Sequence, residues 1–134
     1  MLLTAACESA SLRPVDIEAS DMCAYCKMAI SERRYAAEAI DNEGTAYKFD
    51  NALCMMRFVA DRKLRDRVGA WYIADYENRS WLDARNAAFV RSAEIPGPMA
   101  SGLAAFGSHA AAQALAAEHH GKTISFEGLW TSLQ

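Results

Sequence analysis

Residues 35–76 read YAAEAIDNEGTAYKFDNALCMMRFVADRKLRDRVGAWYIADY, and this stretch decides the fold. The run Asp-Asn-Glu-Gly is turn chemistry, and it separates two short segments that are each predicted to be a strand. Apolar residues then recur at helical spacing, and an aromatic, β-branched run follows them. The predicted elements are strands over 35–40, 46–49 and 68–76, and a helix capped by Asp50 that runs to about Arg65.

The rest of the chain repeats this order of elements. Halves of about 50 residues are only marginally stable alone, so they are expected to pack against each other. We therefore predict an α+β fold of two similar ββαβ halves, with a tail over 1–21 and halves over 22–77 and 78–134. In the second half we predict strands over 86–92, 102–106 and 123–126, a Pro-rich loop over 94–101, a helix capped by Ser108 and stopped by Gly121, and a helical turn or two over 127–133.

The composition excludes several classes of protein. The 134 residues carry a net charge of -3 and no basic run, which argues against a nucleic-acid partner. No apolar stretch approaches the roughly 20 residues of a membrane span. Motifs for dinucleotides, nucleotide phosphates, serine hydrolases and metalloproteases are missing, so we do not expect an enzyme.

The first residues, MLLTAAC, resemble the end of a bacterial lipoprotein signal, in which small residues precede a cysteine. We expect Cys7 to carry a lipid, with residues 1–21 as signal remnant and flexible tail. This expectation places the protein in the periplasm, anchored to a membrane, and Glu8 after the cysteine favours the outer membrane.

The segment Cys23-Ala24-Tyr25-Cys26-Lys27-Met28 brings two thiols and a thioether within six residues. Thiolates and thioethers are soft donors that favour Cu(I), whereas zinc has little use for methionine. In an extended segment, Cys26 and Met28 would point to the same side. The segment therefore predicts a Cu(I) site.

Three other interpretations of the two thiols stay open. Cys23 and Cys26 could form a structural disulfide, a redox-active dithiol or half of a zinc site. Cys54, on the predicted helix, is expected to be a buried and inert thiol.

Further donors lie in the second half of the chain. Met99 stands in a proline-rich loop that would hold it in place, although a methionine there could equally cap the core. His119 and His120 close the second helix, where either could supply a nitrogen ligand or simply lie at the surface.

These segments together resemble the NosL family, which comprises lipoprotein accessory factors of nitrous oxide reductase maturation. The resemblance covers nearly everything after the tail, and its first and last segments are the most specific. It rests on Asp21-Met22-Cys23-Ala24-Tyr25-Cys26-Lys27-Met28, Lys48-Phe49-Asp50, Ile73-Ala74-Asp75-Tyr76, Trp81-Leu82-Asp83-Ala84, Pro98-Met99, Gly102-Leu103-Ala104-Ala105-Phe106 and Ala117-Glu118-His119.

The resemblance implies a duplicated ββαβ fold, otherwise associated with the organomercurial lyase MerB. It also implies a periplasmic Cu(I) chaperone that serves nitrous oxide reductase through a NosD-type subunit of the membrane assembly complex. The family ligands fall on Cys26, Met28, Met99 and His119. Three departures are Lys27 and Ala100, where family members often have Gly, and His120 in place of a Gly. The role of Cys23 and a second metal such as Zn stay open.

Three functions follow for testing. The first is a copper-transfer protein in which Cys26 anchors Cu(I) and Met28, Met99 and either His119 or Cys23 complete the ligand set. The second is a thiol–disulfide oxidoreductase that uses Cys23 and Cys26. The third, suggested by the MerB-like plan, is cleavage of organometallic bonds with Cys26 or Cys54 as nucleophile.

Overall fold

The computed structural model of the chain describes residues 12–133. Over these residues it contains seven strands and three α-helices, joined by short 3-10 turns. Their bounds are β1 Ala37–Asp41, β2 Ala46–Phe49, α1 Ala52–Asp61, β3 Val68–Ala74, β4 Trp81–Asp83, β5 Ala88–Arg91, β6 Leu103–Phe106, α2 His109–Glu118, β7 Lys122–Ile124 and α3 Phe126–Thr131.

The strands form two antiparallel sheets. The first has the order β2-β1-β3-β4 and the second the order β6-β5-β7. Helix α1 packs on β1 and β2, and α2 packs on all three strands of the second sheet. The α+β class is confirmed, and the order β-β-α-β occurs once in each sheet. The boundaries 22–77 and 78–134 stay a prediction.

The two sheets share one apolar core. Phe49 and Trp71 of the first sheet are buried in the same cluster as Phe89, Phe126 and Leu129 from the second half. The rings of Trp71 and Phe126 meet edge to face, with their centroids 5.3 Å apart. Each half therefore buries its apolar face against the other, as a chain of this size requires.

Helix α1 differs from its prediction at both ends. Its cap is Asn51, whose side-chain oxygen accepts a hydrogen bond from the Cys54 N–H at 2.9 Å, so Asp50 is left free for another contact. The helix ends at Asp61 rather than near Arg65, because the chain turns through Lys63, which has a φ of 55°.

Helix α2 also ends for a different reason from the one predicted. The residue with positive φ is His120, at 53°, and not Gly121. Gly121 is required for a different reason, since a Cβ there would lie 2.6 Å from the carbonyl oxygen of Arg91.

The predicted last strand, 123–126, begins one residue earlier and ends at Ile124, and Phe126 opens α3 instead. Strand β4 was not predicted. It has only three residues and is defined by its pairing with β3, so its own sequence carries little signal.

Residues 12–21, which belong to the expected tail, pack against the first sheet. Ile17 is 2% exposed, and the Tyr72 hydroxyl donates a hydrogen bond to the Leu12 carbonyl oxygen at 2.6 Å. Cys7, the expected lipid-bearing residue, lies outside the described residues. Within residues 12–133, no helix has the length and apolar character needed to cross a membrane.

Candidate metal centre

The Cys-x-x-Cys-x-Met segment forms a small hairpin. Met22 and Ala29 face each other across an antiparallel bridge, and the Cys23 N–H donates to the Met28 carbonyl oxygen at 2.8 Å. Lys27 lies in the left-handed region with a φ of 68°, a conformation that glycine adopts more readily than lysine. The segment is thus a turn. The side-chain alternation of an extended strand, from which Cys26 and Met28 were predicted to point to the same side, does not apply to it.

A single backbone contact ties this hairpin to the first sheet. The Ala24 N–H donates to the carbonyl oxygen of Lys48 in β2 at 2.8 Å. Two residues after Lys48 comes Asp50, and Asn51 then starts α1 and places Cys54 in its first turn. The hairpin is therefore held over the junction between β2 and α1.

This docking gathers four potential ligands. The Sγ atoms of Cys23, Cys26 and Cys54 and a carboxylate oxygen of Asp50 all lie within 4.8 Å of one another. Cys23 is fully buried, Cys54 and Asp50 are 3% exposed, and Cys26 is partly exposed. All three cysteines are free thiols in the structure. The cluster therefore runs from the interior to the surface, with Cys26 at its outer end.

Two hydrogen bonds hold Asp50 in the cluster. Its Oδ2 accepts from the Cys26 thiol at 3.2 Å, and its Oδ1 accepts from the Asn51 amide nitrogen at 2.8 Å. The same amide nitrogen lies 3.5 Å from the Cys54 sulfur and 3.4 Å from the Pro98 carbonyl oxygen. Asn51 therefore caps α1, orients Asp50 and links the cluster to the loop of Met99.

The three thiols differ in acidity. A hydrogen bond from the Cys54 thiol, helped by backbone N–H groups of Cys26, Asp50 and Tyr25, lowers the pKa of Cys23 to about 5. Burial and the hydrogen bond to Asp50 together raise the pKa of Cys26 to about 11, against the opposing effect of the Met28 N–H. The pKa of Cys54 is raised because its proton is shared with Cys23 and because it is buried. Cys23 thus has the lowest pKa of the three thiols.

The two candidate methionines are both exposed. Met28 is 58% exposed and Met99 is 62% exposed, and Met99 and Ala100 have φ values of 57° and 52°. Left-handed conformations at two successive non-glycine residues are uncommon and mark places where the fold imposes a geometry. The loop is held next to the cluster by the contact between Asn51 and Pro98.

His119 lies near Glu94. Its Nδ1 is 3.5 Å from Glu94 Oε1, and His120 Nδ1 is 2.8 Å from Glu94 Oε2. The hydrogen bond from His120 holds the pKa of the Glu94 carboxyl below its usual range. A cleft of about 590 Å³ is lined both by His120 and by loop residues 100–102. Residues 100–102 thus share a cleft with His120, whereas Met99 and His119 do not line it.

The structure brings together some of the predicted ligands and adds others. Cys23 and Cys26 meet, as the spacing of the motif suggests, whereas His119 contacts Glu94 and Glu118 rather than a thiol. Sequence reasoning missed Asp50 and treated Cys54 as inert. The ligand roles of Cys23, Cys26, Met28, Met99 and His119 stay predictions.

The chemistry of this cluster favours soft ions. Three thiols in a largely buried site provide donors for d¹⁰ metal ions, and a carboxylate adds one hard oxygen. Thiols this close could also form disulfides with one another. The thioethers at the surface add donors that carry no charge and take no proton.

Comparison with known proteins identifies the family of the chain. The NosL family model matches residues 14–133. The copper-binding lipoprotein NosL of Stutzerimonas stutzeri is 29% identical over 126 residues, which cover 87% of this chain and 66% of that protein. The crystal structure of the copper chaperone NosL from Shewanella denitrificans matches with a TM-score of 0.79 at 20% identity, covering 88% of this chain and 96% of the other, and so shows the same fold. The chain belongs to the NosL family.

Proposed function

We propose that this protein is a chaperone that binds copper as Cu(I) and delivers it for assembly of the copper centres of nitrous oxide reductase. The observation that carries the proposal is the thiol cluster at Cys26, which reaches the surface beside two exposed methionines. The named relatives, one called copper-binding and one a copper chaperone, support copper as the cargo.

The donor set supports the monovalent ion. Cys26 supplies an anionic sulfur, and the thioethers of Met28 and Met99 are neutral soft donors of the kind that favour Cu(I) over harder ions. Thioethers carry no proton in the physiological range, so their share of the binding is independent of pH. His119 is proposed as a nitrogen donor that the Met99 loop would have to approach. A second metal such as Zn is part of the same proposal.

The exposure of the outer donors suits transfer rather than storage. A partner can add its own ligand at the exposed sulfurs of Met28 and Met99 and take the ion by stepwise exchange. A carrier of this kind needs no bond-making or bond-breaking on an organic substrate, so the proposal does not include an enzymatic step.

We propose the periplasm as its location, with Cys7 as a lipid anchor and the outer membrane as the membrane. The chain spans 66% of the length of its lipoprotein relative, whose name supports the anchor. The proposed partner is a NosD-type periplasmic subunit of the membrane assembly complex, which would pass the ion to nitrous oxide reductase.

The proposal is tested by anaerobic transfer of copper from the loaded chain to the purified, copper-free NosD-type subunit. We expect transfer from the wild-type chain and none from Cys26→Ala loaded under the same conditions. His109→Ala, which changes an exposed histidine at the start of α2, is the matched control and should transfer normally. Retention of copper by the wild-type chain in the presence of the partner would contradict the delivery role.

A further inference from the structure

We propose that Cys23, Cys26 and Cys54 form an inner position for Cu(I), in which the ion rests while no partner is bound. This inference rests on the proposed function and deepens it. The outer position consists of Cys26 with Met28 and Met99, and Cys26 belongs to both positions. The ion would move between them by exchanging thiolate partners for thioethers.

The burial of the sulfur atoms supports two positions. Cys23 is 0% and Cys54 3% exposed, whereas Met28 and Met99 are 58% and 62% exposed. The three thiols already lie within 4.8 Å of one another, so an ion among them needs only small side-chain adjustments. Cys26 lies at intermediate depth and is the only one of the three thiols within reach of solvent.

The elements that carry the inner thiols are rigidly connected. Cys54 lies in the first turn of α1, which Asn51 caps, and Cys23 lies at the base of a hairpin bonded to β2 through Ala24. Preorganised ligands bind an ion without the entropic cost of ordering loops. Met99, by contrast, sits on a 3-10 loop.

Asp50 has a positioning role in this scheme. Its carboxylate is a hard donor with little preference for Cu(I), while its hydrogen bond from Cys26 fixes where that sulfur lies. Asn51 in turn fixes the carboxylate. Asp50 therefore orients the thiol that is shared between the two positions.

The binding step is a simple exchange of protons for metal. Each Cu–S bond that forms at a protonated thiol releases one proton to the buffer, and a thiol that is already ionised releases none. No electron is transferred, and copper stays monovalent throughout. In the inner position the ion is shielded from water and from competing thiols by the surrounding core.

The test compares Cys54→Ala with Met55→Leu, a matched change at the next, fully buried residue of the same helix. Cu(I) affinity is measured anaerobically against a chromophoric chelator, and the number of sulfur ligands by copper X-ray absorption. Cys54→Ala is expected to lower the affinity at least about tenfold, while Met55→Leu leaves it unchanged. An affinity of Cys54→Ala equal to that of the wild-type chain would overturn the inner position.

Two further measurements separate failure of the inner position from failure of the proposed function. If Cys54→Ala does not fold, X-ray absorption of the copper-loaded Met28→Leu chain decides, because the inner position keeps three sulfur ligands in that variant and the outer position would be left with two. If the wild-type chain fails to bind Cu(I) more tightly than a free dithiol, the proposed function itself is wrong. Tight wild-type binding that depends on Cys26 but not on Cys54 would leave the carrier function intact and remove only the inner position.

Discussion

The Cys26 thiol donates a hydrogen bond to Asp50, with 3.2 Å between Sγ and Oδ2, although the two residues are 24 positions apart. The contact joins the Cys-x-x-Cys-x-Met hairpin to the start of α1. It also keeps the most accessible thiol of the cluster protonated in the empty protein, because burial and this bond raise the pKa of Cys26 to about 11.

Alkylation of Cys26 tests this relationship. A thiol with so high a pKa holds almost no thiolate at pH 7.5, so reaction with iodoacetamide should be slow there and accelerate towards pH 11. Asp50→Asn removes the charge and should speed the reaction at pH 7.5 by roughly tenfold, which is one unit in the thiol pKa. Asp66→Asn, at an exposed residue, is the control, and the modified site is identified by mass spectrometry. Fast alkylation of wild-type Cys26 at pH 7.5 would contradict the assignment.

Asn51 should matter more than an ordinary helix cap. Asn51→Ala removes the cap of α1 and also the amide that holds the buried Asp50, so we expect the free energy of unfolding to fall by about 2 kcal/mol. Ser108→Ala removes only the cap of α2, in which Ser108 Oγ accepts from the Ala111 N–H, and should cost about 1 kcal/mol. Urea unfolding measures both. If the two variants lose the same free energy of unfolding and bind Cu(I) with the same affinity, Asn51 acts only as a helix cap.

Sequence reasoning placed most of the fold because its signals are local. The turn Asp-Asn-Glu-Gly and the alternation around it are sufficient for β1 and β2, and two Pro and a Gly define the loop before β6. Sequence reasoning chose the wrong cap for α1, because Asp50 and Asn51 are neighbours and both are good helix caps. Only the structure shows that the helix uses Asn51.

The candidate site could be predicted only in part for a related reason. The two thiols of the hairpin are three residues apart and meet by local geometry. Cys54 and Asp50 join them because Ala24 bonds to Lys48, a tertiary contact that leaves no mark in the local sequence. A third cysteine in the first turn of a helix was the available signal, and its usual interpretation as an inert core thiol prevailed.

Stability should depend on pH through Glu38. This residue of β1 is fully buried, its Oε1 accepts from the Val15 N–H at 2.6 Å, and its Oε2 has no partner among residues 12–133. Burial raises its pKa from 4.5 to about 7, with Lys48 opposing and Asp16 and Asp21 adding to the rise. Between these values the native state binds a proton that the unfolded state has lost, so the free energy of unfolding falls as the pH rises from 4.5 to 7.

The measurement is urea unfolding at pH 5 and pH 8 for the wild-type chain and Glu38→Gln. The wild-type chain should lose on the order of 2–3 kcal/mol between the two conditions from this group, and Glu38→Gln should lose correspondingly less. Glu43→Gln, in the exposed turn between β1 and β2, should behave like the wild-type chain. Identical pH dependence in all three proteins would contradict the role of Glu38.

Met28 should govern the rate at which copper leaves. Met28→Leu keeps the size and apolar character of the side chain but removes the soft sulfur, so transfer of Cu(I) to an excess of chelator should slow severalfold. Met22→Leu is a close control, because Met22 lies on the same hairpin and is 56% exposed, against 58% for Met28. In a Cys54→Ala background, where the inner position is impaired, Met28→Leu should also weaken the affinity. Equal transfer rates for the two methionine variants would remove Met28 from the ligand set.

The most direct test of the central claim is the Cu(I) affinity of the reduced wild-type chain and of Cys26→Ala, measured anaerobically against a chromophoric competitor. We expect about one tightly bound ion per wild-type chain, with the affinity reduced at least about a hundredfold in Cys26→Ala, or about 2.7 kcal/mol. His109→Ala should bind like the wild-type chain. An affinity in Cys26→Ala within about threefold of the wild-type value would contradict the assignment of this cluster as the copper site.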